Sequence, residues 1–247
     1  MTYVSAHKTL SLVVQIEKFS VRLNDRPVLP ELNLTLTERR IGLVGRNGSG
    51  KSTLARAMAG LIRPESGHIT INGINVWRDR KRAIATVGIL FQNPDHQIIF
   101  PTVEEELAFG LSQLGHGKRE AQAEAQAMLA RFGRRDWSTR AVATLSQGQR
   151  HLVCLMAVLA MQPAVLILDE PFSGLDIPTT RRLWTYLEQF APAIIQITHD
   201  PRALSGYDRV LWLEQGRMVA DGPPASVLLD FNAAMQAAGD SDADADL

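Results

Sequence analysis

The stretch Gly45-Arg46-Asn47-Gly48-Ser49-Gly50-Lys51-Ser52 fits the spacing G-x-x-x-x-G-K-[ST] in full. Its chemistry is the capture of phosphate. Glycines let backbone N–H groups close around an anion, and the N-terminus of a following helix adds the positive end of its dipole. Lys51 would reach the outer phosphates, the Ser52 hydroxyl would ligate Mg²⁺, and Thr53 completes the nucleotide-binding stretch. A bare glycine turn before a helix explains neither the lysine nor the hydroxyl beside it. A second element of matching chemistry is the apolar run that closes on Asp169 and Glu170. Ligands of open α/β sheets bind at the carboxyl ends of strands. There Asp169 would orient the Mg²⁺ shell and Glu170 would take a proton from an attacking water. His199 follows the apolar run 194–198 and should reach the same sheet edge.

These residues need a frame to hold them. Near-continuous apolar runs at 12–16, 41–44, 87–91, 164–168 and 194–198 read as strands buried on both faces of a mainly parallel sheet, hence an α/β fold. Leu32, Leu34 and Leu36 alternate with polar residues, as do Ile69 and Ile71 before the turn pair Asn72-Gly73, so a smaller antiparallel sheet is expected. Leu54, Ala57, Met58 and Leu61 fall at helical spacing directly after Lys51, and Pro64 stops the pattern. The strand signal vanishes over 92–161, where alanine, glutamine and charged residues predict a helical subdomain. The core then comprises 10–91 and 162–230, within a single domain of residues 10–230. Residues 231–247, with Asp240, Asp242, Asp244 and Asp246, read as a disordered acidic tail.

Composition narrows the function. The 26 basic and 26 acidic side chains cancel, so no bulk field points to nucleic acid or to an anionic surface. The longest strongly apolar stretch, 152–161, falls well short of the roughly 20 residues that span a bilayer. The start, MTYVSAHKTL, lacks the pattern of a secretion signal. The single cysteine, Cys154, permits no internal disulfide, favours a cytoplasmic location, and reads as a core residue. The five histidines other than His199 read as solvated or structural.

Leu145-Ser146-Gln147-Gly148-Gln149 resembles the L-S-G-G-Q signature of ATP-binding-cassette ATPases. With Gln92 in FQNP, the stretch ending at Asp176 in SGLD, and His199 in THD, the motifs follow the order of that family over about residues 10–230. The resemblance implies a P-loop ATPase that binds ATP and Mg²⁺, the latter through Ser52, Gln92 and Asp169. It implies that two subunits, a homodimer or a pair of paralogues, pack head to tail, so that Leu145–Gln149 serve the partner's ATP. It makes Glu170 the base and His199 the switch histidine. Asp176 then crosses the dimer interface, or else simply caps a helix before Pro178. Two departures stand out. Gln147 replaces the usual first signature glycine, and Leu23 occupies the place where an aromatic ring often stacks on adenine.

Asn93-Pro94-Asp95-His96-Gln97, followed by the stretch from Thr102 to Gly110, is similar to a segment of ATPases in energy-coupling-factor vitamin and metal importers. There a short helix borders the groove that receives a coupling helix of the membrane subunit, which makes Asp95 and Gln97 the groove residues here. An exposed acidic helix cap is the simpler alternative. The resemblance implies partnership with a transmembrane coupling subunit and a substrate-binding membrane subunit, at the cytoplasmic face of the cell membrane and without nucleic acid. Biotin is preferred as cargo, with cobalt next. The rival class is a soluble cassette ATPase of DNA repair or translation. A guanine-specific N-K-x-D motif is absent.

Overall fold

The alternation of side chains along each strand decides which sheet it joins. In the computed structural model, which describes residues 12–190 and 193–245, strands β1 (Val14–Leu23), β2 (Arg26–Leu36), β4 (Ser66–Ile71) and β5 (Ile74–Asn75) form an antiparallel sheet in the order β2-β1-β4-β5. Between β2 and β4 lie β3 (Arg40–Val44) and helix α1 (Lys51–Met58), and after β5 come α2 (Arg80–Thr86) and β6 (Val87–Leu90). Helices α3 (Val103–Gln113), α4 (Lys118–Arg131) and α5 (Gln147–Ala160) then fill the chain up to β7 (Val165–Asp169). Apart from one bridge pair, Thr102 with Ala141, that stretch contains no strand among the described residues. Helix α6 (Ile177–Phe190), β8 (Ala193–Ile197), β9 (Arg209–Glu214), β10 (Arg217–Gly222) and α7 (Pro224–Ala245) complete the chain.

The larger sheet runs β10-β9-β3-β8-β7-β6, parallel throughout except for the antiparallel edge strand β10. Its central strands feed two cores at once. Val165 and Ile167 of β7 face the core shared with α1 and the small sheet, whereas Leu166 and Leu168 face the core of the helical lobe. On β8, Ile195 and Ile197 join the first core and Ile194 the second. A strand dry on both faces is near-continuously apolar, which is why these runs lack alternation; the one buried amide on β8, Gln196, accepts from the Tyr207 hydroxyl.

Three expectations are corrected. Residues 12–16 contribute to the antiparallel sheet, not the parallel one: Val14 and Ile16 are buried while Gln15 and Glu17 are exposed, the period-2 pattern of a strand with one wet face. Helix α1 ends at Met58, because Gly60 turns the chain at φ 71° and leaves Leu61 exposed. Residue 231 does not begin a disordered tail. It lies within α7, where Val227 and Phe231, one helical turn apart, are buried, and Phe231 meets Trp212 of β9 edge to face with centroids 5.5 Å apart. Residue 10 and Asp246 lie outside the described residues.

Phe231 and Val227 are the apolar anchors that α7 places in its small core. Phe231→Ala is therefore expected to lower the unfolding free energy by about 3 kcal/mol, the usual cost of deleting a buried ring. Equilibrium denaturation of wild type and variant measures this directly.

Candidate functional site

Parallel pairing sets the ends of β3, β8, β7 and β6 side by side. Leu43 stands opposite Ile197, Ile197 opposite Asp169, and Leu90 opposite Leu168. The residues that follow each strand therefore emerge along one edge: the phosphate loop after β3, His199 after β8, Glu170 after β7 and Gln92 after β6. Two backbone bonds extend the pairing past the strands, from Thr198 N to Leu43 O at 3.3 Å and from Glu170 N to Ile197 O at 3.0 Å.

The loop is shaped by close backbone approach. A side chain on Gly45 would place its Cβ 2.0 Å from the carbonyl oxygen of Leu213, so only glycine fits there. Gly216 N donates to Ser49 O at 2.9 Å and Arg46 N to the Glu214 carboxylate at 3.3 Å, which ties the loop to the β9–β10 turn. Gly50 caps α1 with no side-chain acceptor for the first-turn amides, and the buried Ser49 hydroxyl has no hydrogen-bond partner among the described residues. Open amides and an orphaned hydroxyl around a glycine cradle suit a polyanion. Lys51, 6% exposed, donates from Nζ to Gly45 O at 2.7 Å and to Arg46 O at 2.8 Å. Burial lowers its pKa, an effect opposed by the carboxylates of Glu170, Asp169 and Glu214. An incoming phosphate would add to that opposition.

Ser52 Oγ donates to Asp169 Oδ1 at 3.1 Å, bringing together a hydroxyl and a carboxylate that start 117 positions apart. Burial raises the Asp169 pKa, the Ser52 bond lowers it and neighbouring Glu170 raises it. Hard oxygen donors of this kind suit Mg²⁺, which is held by one or two carboxylates plus substrate phosphates. No cluster of three or more His, Cys, Asp or Glu able to hold a metal occurs among the described residues. Glu170 sits at φ 48°, a left-handed backbone costing about 1–3 kcal/mol for a residue with a Cβ, and such strain gathers at functional sites. His199 Nδ1 donates to Glu170 Oε2 at 3.0 Å.

The segment after β6 is a short 3₁₀ turn, Pro94–His96, capped by Asn93, whose Oδ1 accepts from Asp95 N at 2.9 Å. The two expected groove residues behave differently. Gln97 Oε1 accepts from Phe91 N at 3.3 Å, so its side chain braces the turn from inside. Asp95 pairs with Arg150 of α5, Nε to Oδ1 at 3.1 Å, and Arg150 Nη1 donates to Leu145 O at 2.8 Å. In the signature segment, Ser146 caps α5: its Oγ accepts from Gln149 N at 3.3 Å, and Ser146 N donates to Gln149 Oε1 at 2.9 Å. A Cβ on Gly148 would lie 2.8 Å from Thr179 Cγ2 of α6, and the Gln147 side chain is exposed. Asp176 Oδ1 accepts from Thr179 N at 2.7 Å and caps α6 from an exposed position, which lowers its pKa. Leu23, 42% exposed, ends β1 beside the left-handed pair Asn24-Asp25.

Sequence reasoning did not single out Glu106, Glu214, Arg150 or His151. Glu106 is buried and its Oε2 accepts from Ile99 N at 2.9 Å and Phe100 N at 2.8 Å, shaping the chain beyond Gln97. The signal for His151 was a polar residue heading the apolar helical run that starts at Leu152; for the others there was none.

The ABC transporter family model matches residues 29–173. A biotin transport ATP-binding protein, BioM of Rhodobacter capsulatus, is 55% identical over 210 residues, covering 85% of this chain and 90% of that protein. The energy-coupling factor transporter ATP-binding protein EcfA1 of Ligilactobacillus salivarius is 35% identical over 229 residues, covering 88% of this chain and 80% of that one. Among solved structures, cbiO1 of Clostridium perfringens, part of the transporter complex cbiONQ, superposes with a TM-score of 0.74 at 28% identity, covering 92% and 94% of the two chains. These relatives are transport subunits, so a soluble repair or translation ATPase is not favoured. No helix among the described residues is long and apolar enough to cross a membrane.

Removal of the Lys51 ammonium deletes the positive charge that donates to the loop carbonyls of Gly45 and Arg46. Lys51→Ala is expected to weaken nucleotide binding at least about tenfold, the scale of a lost charge-assisted bond. Isothermal calorimetry with ATP reads the loss, and thermal unfolding of the free protein should move little.

Proposed function

We propose, for a chain that belongs to the ABC transporter family of ATP-hydrolysing subunits, that its hydrolysis drives uptake of biotin through an energy-coupling-factor importer. The observation that carries the cargo is the 55% identity, over 85% of this chain, to a biotin transport ATP-binding protein. Cobalt, the cargo of a 35% identical relative, comes second. Two such subunits, alike or paralogous, pair head to tail beneath a transmembrane coupling subunit and a substrate-binding membrane subunit, on the cytoplasmic face of the membrane.

In this reading ATP lies with its phosphates in the loop 45–53. Lys51 Nζ leaves the carbonyls of Gly45 and Arg46 for the outer phosphate oxygens, and the amides from Gly48 to Thr53 take up the remaining charge. Ser52, Asp169 and the Gln92 side chain would hold Mg²⁺, which when bound neutralises charge on the phosphates. Glu170 accepts a proton from the water whose oxygen attacks the γ-phosphorus, while the bond to the β-phosphate oxygen breaks and ADP leaves. His199, bonded to Oε2, keeps that carboxylate aimed. From the other subunit, Leu145 to Gln149 approach the γ-phosphate, with Ser146 and the Gly148 amide as donors, and Asp176 faces the opposite site. Gln147 brings an amide to a place where the family has a glycine. Leu23 gives the base an aliphatic surface in place of a stacked ring.

Coupling runs through the segment beside Gln92. Asp95 and the 68% exposed Ile99 border the groove for the membrane subunit, and Gln97 keeps the turn shaped.

Two outcomes test this reading. Glu170→Gln should retain ATP affinity, slow hydrolysis by roughly 10² to 10⁴, the worth of a positioned base, and accumulate an ATP-bound dimer visible by size-exclusion chromatography. Asp95→Ala should depress biotin uptake in vesicles holding the full complex, while ATP affinity of the isolated subunit stays within about twofold, since the phosphate loop, Asp169 and Glu170 lie at the ends of other strands and Asp95 pairs with Arg150 rather than with any of them. Uptake equal to wild type would remove Asp95 from the groove.

A further inference from the structure

We propose that His151 is a positioning residue that fastens the Gln92 turn to the first turn of the signature helix, so that the two move as one piece. The ring is fully buried, yet both nitrogens are engaged: Nε2 lies 3.2 Å from the carbonyl oxygen of Gln92, 59 positions away, and Nδ1 lies 3.0 Å from the carbonyl oxygen of Gln147 on its own helix. Both partners are carbonyl oxygens, which only accept, so the ring bonds through a nitrogen that carries a proton; Gln147 O already accepts from the His151 amide within α5, which leaves Gln92 O as the carbonyl that depends on the ring. A side chain buried only for packing would not need a polar ring nitrogen at a carbonyl 59 positions away. An apolar replacement takes away the side-chain donor at the Gln92 carbonyl in a dry setting, the costly case for polar groups, whereas Gln147 O keeps the helical N–H of residue 151.

The surroundings make this contact part of a seam. From the same stretch of α5, Arg150 pairs with Asp95 and donates to Leu145 O, and the Cys154 thiol points to Pro94 O at 3.9 Å. Of these side chains, His151 is the one that reaches Gln92 itself. Resting on the reading of Gln92 as a sensor of the subunit's own nucleotide and of Ser146 to Gly148 as donors to the partner's, the bond has a mechanical meaning. A shift of Gln92 on hydrolysis in one site pulls on the donors of the other site through this ring, the point of the seam that holds Gln92 itself.

The test is hydrogen exchange by mass spectrometry on the full-length ATPase, with hydrolysis measured alongside. In His151→Leu, exchange over 91–97 and 145–150 should rise about tenfold, the scale of one lost hydrogen bond, while 45–53 keeps its wild-type rate. The kcat should fall with KM for ATP nearly unchanged. His151→Gln, whose amide can still donate to the Gln92 carbonyl, should restore most of both. If His151→Leu does not fold, His151→Asn, too short to reach both carbonyls, replaces it with the same expectation. Unchanged exchange over 91–97 in the variant lacking the donors overturns the proposal. So does an increase spread along the whole chain in the glutamine variant as well, which marks an ordinary core residue. Gln92→Ala keeps the backbone carbonyl and is measured in parallel: wild-type hydrolysis there removes the sensor reading of Gln92, whereas the exchange data still judge His151.

Discussion

Adjacent strands of a sheet lie about 5 Å apart, and that spacing governs everything at this site. Because β3, β8 and β7 are consecutive neighbours in parallel register, the phosphate loop, His199 and the two carboxylates arrive together without any of the loops having to find one another. The register is held from both faces. A slip of one residue on β7 would exchange Ile167 for Leu166 and Leu168 between two cores already filled by different partners. Packing far from the chemistry thus fixes distances within it.

Within that frame, the site holds charge under unfavourable conditions. Burial presses Lys51 toward its neutral form and Asp169 toward its protonated form, opposite directions with one cause. Each is partly compensated by the polar groups it has at hand: loop carbonyls for the ammonium, the Ser52 hydroxyl for the carboxylate. A polyphosphate accompanied by a divalent cation relieves both at once. Charge is therefore arranged before the ligand comes, which is the condition for electrostatic catalysis without reorganisation. The left-handed backbone at Glu170 belongs to the same economy, since the bond from its amide to Ile197 helps hold a conformation the residue alone would avoid.

What could be seen in the sequence was what lies in one short run. The phosphate loop, the Asp169-Glu170 pair and the doubly buried strands each carry their signal in adjacent residues. Strand β1 was placed in the wrong sheet because the hydrophobic Leu12 and Val13 before it blurred an alternation that begins only at Val14. Helix α7 was missed because its two buried anchors, Val227 and Phe231, stand in an otherwise unremarkable alanine-rich stretch and acquire meaning from Trp212 on another element. The seam between α5 and the Gln92 turn was invisible for a plainer reason. Its bonds end on backbone carbonyls, which every residue possesses, so no residue type at positions 92 or 94 announces them. The ion pair of Asp95 with Arg150 joins residues far apart in the chain, so neither position announces it.

Cys154 is the sole thiol of the chain, buried in α5, with its pKa pushed up to about 12 chiefly by burial. A thiol that stays protonated and out of reach is a poor nucleophile at neutral pH. Nature has in effect supplied a background silent to maleimide and iodoacetamide reagents. Spin labels or fluorophores attached to cysteines introduced at exposed positions on the two lobes would report distances between them without first stripping the native chain of competing sulfur.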